Sequence, residues 1–285
     1  MPRKSAGCFP PDRARALQAM WRCRYPSWNV RSCSPCAYQD GIKKLQIGDA
    51  SRIDVAWSAR SVLSAADSMD LGFLPLPQRL ALNYAPERIR AQTAALFALD
   101  ARLGELVAKA NEPLLAQLRL AWWRDELSKP QEERARGDPI LDTLGETWPG
   151  EEHALIRLID GWEQLVGAAP LPGSALESFA DGRAGAFAAL ARLAGEPSAE
   201  EIARDAGRVW ALADLAARVS DDQERQTACR LAEGQEHRFP RLPRALRPLA
   251  VLRGLAHRAL LLGGAPLVTG RRDILAALRL GMIGR

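Results

Sequence analysis

Asp214 and Arg218 stand four residues apart in a stretch free of helix breakers. That spacing lets a carboxylate and a guanidinium pair across one helical turn. Trp122 and Trp123 offer two aromatic faces, with Arg119 and Arg124 on either side. Such a group could stack on a ligand and grip a phosphate through a bidentate guanidinium. The plainer reading places the tryptophans in the core and pairs the arginines at the surface with Asp125 or Glu126. Other chemistry lacks its parts. His153, His237 and His257 are scattered and form no ligand pair. No glycine loop suited to cradling phosphate occurs. Ser174 and Cys229 have no evident base, so nucleophilic catalysis lacks support. No basic stripe interleaved with aromatics occurs, which argues against nucleic acid as a partner.

The elements that must position these residues are helices. From residue 77 onward the apolar period is helical, and no convincing strand occurs. A run from Glu87 to Lys109 follows Pro86, with Ile89, Leu96, Leu99, Leu103, Leu106 and Val107 mostly at three- and four-residue steps. Asn111 can cap a second helix with Pro113 in its first turn. On it Leu114, Leu118 and Trp122 share one face, and Lys129-Pro130 ends it. Asp138-Pro139 reads as a cap followed by proline at the first helical position. Glu151 to Val166 carries Leu155, Ile159, Trp162 and Val166 as its stripe. Ser174 with Glu177, and Ser198 with Glu201, fit the capping box and open helices ending near Leu193 and Val219. Further helices begin near Pro248 and run from Asp273 to Met282. Gly182-Arg-Ala-Gly185 falls within a helix and reads as close packing. The expectation is an all-α bundle of about eight helices.

Residues 1–68 differ from this body. They lack a sustained period and hold Cys8, Cys23, Cys33 and Cys36, leaving only Cys229 elsewhere. We divide the chain into residues 1–68, an irregular extension, and residues 69–285, a helical domain. Three readings of the extension stay open: a start-site artefact with Met69 the start, an Arg-rich targeting segment, or a small zinc module using Cys33 and Cys36. The body has no disulfide framework, which fits a reducing, cytoplasmic setting. Residues 1–68 carry net charge +6, residues 69–224 net −10 and residues 225–285 net +9. A basic end on an acidic body suggests an anionic partner, such as a membrane surface met peripherally through Arg238–Arg258, or a protein. No apolar run reaches the roughly 20 residues that a membrane span needs.

Four segments, in order, resemble the squalene/phytoene synthase family. They are Leu96-Phe-Ala-Leu-Asp100 through Leu106; Glu112 through Leu127, strongest from Arg119 over Trp122-Trp123-Arg124, followed by Asp138-Pro-Ile-Leu141; Leu158-Ile-Asp-Gly-Trp-Glu163 with Phe179 to Phe187; and Gly207-Arg-Val-Trp210 through Asp214 onward. The resemblance spans most of residues 77–233 and implies the all-α isoprenoid synthase fold, with a cavity between helices. In active members two Asp-rich motifs face each other there and hold Mg²⁺ on prenyl diphosphates.

Both motifs are altered here. Anchored on Phe97, the first offers Ala101, Gly104, Glu105 and Ala108 where the family has an arginine and three aspartates. The second offers Asp214, Ala217, Arg218 and Asp222 where the family has asparagine, arginine and two aspartates. Only Glu105 and Asp222 keep metal-type carboxylates, and these two are the candidate Mg²⁺ ligands. Asp214, Arg218, Trp122 and Arg119 are the candidate ligand-binding residues, and Asp221 adds a nearby carboxylate. The resemblance implies a synthase-like protein that is not catalytic. It would bind a prenyl or other lipid ligand or act in assembly, as a divergent branch of the family does for respiratory complex I. The alternative it implies is a Mg²⁺-dependent head-to-head prenyltransferase joining two prenyl diphosphates.

Overall fold

A computed structural model describes residues 71–109, 112–233 and 240–283. The three readings of residues 1–68, and the cap expected at Asn111, concern residues outside this set. The described residues form helices and loops, with no strand among them. The helices are α1 (Leu76–Leu82), α2 (Glu87–Lys109), α3 (Pro113–Ser128), α4 (Pro139–Thr147), α5 (Glu152–Glu163), α6 (Gly173–Leu193), α7 (Glu200–Ala216), α8 (Asp222–Glu233), α9 (Arg247–Leu261) and α10 (Arg271–Ile283). Two of them, α1 and α8, lie beyond the eight that periodicity suggests.

Local signals account for several helix ends. Asp138 caps α4, its Oδ1 accepting from the backbone N–H of Ile140 (2.9 Å) and Leu141 (3.2 Å). Proline opens α3 and α4, where its missing N–H leaves no bond unmade. The two expected serine caps do not form. Pro172 takes the cap position of α6 two residues early, so Ser174 lies inside the helix. Ser198 sits in a short 3-10 turn, Pro197–Ala199, that leads into α7 without a side-chain cap.

The centre of the bundle is α6. It packs on α5 at one side and α7 at the other, while α7 also meets α8 and α9. Close approach of α5 and α6 depends on two glycines. A Cβ on Gly182 would sit 2.5 Å from the Arg157 carbonyl oxygen, and one on Gly161 would sit 3.1 Å from that of Ser178. Helix α2 lies along this layer, touching α4, α5 and α6. Phe97 of α2, Phe187 of α6 and Trp210 of α7 meet as an aromatic cluster, with Phe187 and Trp210 edge to face at 5.4 Å. These side chains are buried, so α2, α6 and α7 share one core at the level of the candidate site.

Helix α3 corrects the expectation that both tryptophans lie in the core. Its face Leu114, Leu118 and Trp122 points to solvent together with Leu115, while Ala116, Leu120, Trp123 and Leu127 face inward. The helix has two apolar stripes, and the inner one meets α5.

Candidate functional site

The inner face of α2 carries Asp100, Gly104 and Ala108 at four-residue steps. Across from it, α7 presents Asp214, and Arg218 follows the helix end. Arg183 of α6 lies between them. Its Nε donates to Asp100 Oδ1 (2.8 Å) and its Nη2 to Asp100 Oδ2 (2.7 Å), a bidentate pair. Its Nη1 donates to Asp214 Oδ2 (2.9 Å), and Arg218 Nε donates to Asp214 Oδ1 (2.9 Å). Trp162 Nε1 (2.9 Å) and Gln78 Nε2 (3.1 Å) complete the shell around Asp100. Two carboxylates and two guanidiniums thus form one neutral chain.

All of this network but Arg218 is buried. Arg183 and Asp100 are each 2 % exposed and Asp214 is 5 % exposed. The Arg183 guanidinium carbon lies 4.2 Å from the Trp210 ring centre, 4.8 Å from Phe179 and 5.0 Å from Trp162. Aromatic faces favour a cation. Burial alone would push Arg183 toward its neutral form, but Asp100 and Asp214 outweigh that and hold its pKa above the usual arginine value. Burial likewise raises Asp214, yet Arg218 and Arg183 win and hold its carboxyl below the usual range. Arg183 and Asp214 therefore both stay charged at neutral pH, and such mutual pairing is how buried charges become tolerable.

Beside the network lies a cavity of about 40 Å³, lined by Gly104, Ala108, Trp162, Asp214, Arg218 and neighbouring apolar side chains. A water needs about 10–15 Å³ measured this way, so a few waters fit. The Trp162 ring takes up space against Gly104, where an added Cβ would sit 2.9 Å from its edge.

A family model for squalene/phytoene synthase matches residues 79–233. The chain belongs to the squalene/phytoene synthase family. A search of curated proteins found no match, and a search of solved structures found none. The all-helical architecture is that of the isoprenoid synthase fold. The cavity brings Gly104 and Ala108, where the sequence reading expects the first motif, together with Asp214 and Arg218, where it expects the second.

The structure brings together only part of the predicted site. Asp214 and Arg218 pair as their spacing suggests and line the cavity. Glu105 sits outside it, partly exposed and bound to Lys109 one turn on. Asp222 is also outside, with its side chain 82 % exposed and paired with Arg225. Asp221 caps the start of α8, its Oδ1 accepting from Glu224 N–H (2.9 Å). Trp122 is exposed and meets Trp123 edge to face, while Trp123 is buried. Arg119 is exposed on the outer side of α3. Arg124 reaches neither Asp125 nor Glu126 but bonds Asp160 and Glu163 of α5. Of the basic stretch Arg238–Arg258, Arg253 is buried and donates to the Pro240 carbonyl (3.1 Å), so the stretch is not one continuous basic surface.

The residues lining the cavity do not fit Mg²⁺. Gly104 and Ala108 supply no side-chain oxygen. Both oxygens of Asp214 accept from guanidiniums, and a divalent cation there would meet two positive charges. Among the described residues no group of three or more His, Cys, Asp or Glu is placed to hold a metal ion.

The residue that sequence reasoning missed is Arg183. It was legible only as part of the Gly182-Arg-Ala-Gly185 packing run. An arginine between two small residues on a helix with few other charges was the available signal.

Proposed function

We propose that this protein has left prenyl diphosphate chemistry and serves as a non-catalytic interaction or assembly factor built on the synthase fold. The observation carrying this reading is the Arg183 bridge. A cation joins α2 to α7 through Asp100 and Asp214, beside the point where the family's motifs would present carboxylates to a metal. The charge logic of the site is reversed, since an internal guanidinium now satisfies the carboxylates that remain. The cavity, with room for only a few waters, favours an interaction role over storage of a prenyl chain. The outward stripe Leu114, Leu115, Leu118 and Trp122 on α3 supplies the kind of apolar surface through which partners associate. A role in assembly would parallel the divergent branch that serves respiratory complex I.

The test is binding of inorganic diphosphate with Mg²⁺, read by thermal unfolding. A ligand at 100 times its Kd adds about 2.7 kcal/mol of stability. The proposal expects no shift in Tm at millimolar Mg²⁺ and diphosphate. A saturable rise needing both components would point to the Mg²⁺-dependent prenyltransferase instead.

A further inference from the structure

Helix α10 is fixed to the body on one side and apolar on the other. Asp273, Ala277 and Gly281 face inward. A side chain at Gly281 would run into the Tyr84 ring, and one at Gly254 of α9 would run into Leu280. Asp273 anchors the first turn. Its Oδ2 accepts from Thr269 N–H (2.9 Å), Thr269 Oγ1 (2.8 Å) and Gly270 N–H (3.2 Å), and its Oδ1 accepts from Arg258 (3.2 Å). The helix is therefore held in place without help from its outer face.

That outer face carries Leu275, Leu278 and Met282, three and seven residues on from the first, so they form one stripe. Leu275 is 64 % exposed and Met282 75 % exposed, with Ile274 and Ile283 at the edges. The Arg258–Asp273 and Gly254–Leu280 contacts show α9 and α10 running antiparallel. The end of α9 therefore lies by the start of α10, and there Leu261 and Leu262 are 68 % and 69 % exposed. Arg271, Arg272 and Arg279 flank the stripe, exposed and without an ion pair among the described residues. Residues 225–285 hold 12 arginines against three acids.

We propose that this α9–α10 corner docks on the surface of an anionic lipid bilayer. The occupant must accept aliphatic side chains below a layer of negative charge, and a bilayer rich in acidic headgroups offers that layering. Leucine and methionine would enter the acyl boundary while the arginines reach back to the headgroups. A second copy fits poorly, because two such faces would bring six arginines together. Residues 1–68 fit poorly too, since they carry net +6. Among the described residues no helix is long and apolar enough to cross a membrane, so the contact is interfacial. The proposal stands apart from the catalytic question and uses none of the cavity residues.

The test is flotation of the full chain with vesicles of phosphatidylcholine alone, or with about a third phosphatidylglycerol. Two variants accompany it: Arg271→Gln/Arg272→Gln/Arg279→Gln and Leu275→Ser/Leu278→Ser/Met282→Ser. All six positions are exposed, and circular dichroism checks that each variant stays folded. The expected result is binding to the anionic vesicles only, weakened by salt. At about 1 kcal/mol per arginine near an acidic surface, the arginine variant should bind roughly 100-fold more weakly. The serine variant should also lose binding. Equal binding to neutral vesicles, no binding at all, or binding unchanged in both variants would each overturn the proposal. So would a dimer in solution that the serine variant dissociates, which would make the face a contact between copies.

Discussion

Replacing Arg183 with methionine removes the central cation while keeping most of the side chain's bulk. Asp100 then keeps the N–H groups of Trp162 and Gln78 but loses its only counter-charge among the described residues. Asp214 keeps Arg218. Removing one partner of a buried pair typically costs about 3–5 kcal/mol, because the other charge stays behind in a dry site. For a domain of this size that lowers Tm by about 6–20 °C. The loss is not the net worth of the network, since an apolar replacement of the whole group could be neutral. The double variant Asp100→Asn/Arg183→Met separates the two. It removes equal and opposite charges and leaves the Asp214–Arg218 pair intact. It should be less destabilised than the sum of the single variants by about 2 kcal/mol. Urea unfolding at neutral pH, followed by circular dichroism, measures all three variants and the parent. If Arg183→Met unfolds within about 1 kcal/mol of the parent, or the double variant is simply additive, the reasoning fails.

The depressed Asp214 pKa predicts the sign of acid sensitivity. Its stabilisation is fully present above the unfolded carboxylate value of about 3.9 and is lost as pH falls through the lower folded value. Asp214→Asn should be less stable than the parent at neutral pH, and the gap should close below about pH 4 in denaturant titrations. The two glycines of the α6 packing run should respond in opposite ways. Gly182→Ala drives a Cβ into the Arg157 backbone and should cost about 1–3 kcal/mol. At Gly185 the nearest atom to an added Cβ is the mobile Arg204 Nη1 at 3.9 Å, so Gly185→Ala should be neutral or gain up to about 1 kcal/mol of helix propensity. Thermal melts of the two variants side by side check this.

The fold was legible because helical periods and proline positions are local signals, and the Asp138 cap formed as its spacing suggested. The Asp214–Arg218 pair was legible for the same reason, being confined to one turn. On α3, Leu114, Leu118 and Trp122 do share one face, as do Leu120, Trp123 and Leu127, and it is the second set that is buried. Period alone does not say which stripe meets a neighbour. The heart of the site was illegible for a different reason. Arg183 finds Asp100 from 83 residues away and Asp214 from 31, and nothing local marks such partners. Asp100 stood in plain view one turn before Gly104, yet its value depends on a cation from another helix. Phe97 set the register of Gly104 and Ala108 in the first segment, and the stretch after Gly207 set that of Asp214 and Arg218. That these four line one small cavity depends on the way α2 and α7 pack.

Turnover is the sharpest test of whether this protein has given up diphosphate chemistry. Folded, helical protein should be incubated with farnesyl or geranylgeranyl diphosphate and Mg²⁺, and released diphosphate measured against a protein-free control. No release above that control is expected. Mg²⁺-dependent release, abolished by removing the metal, would contradict it and return Glu105 and Asp222 to consideration as metal ligands.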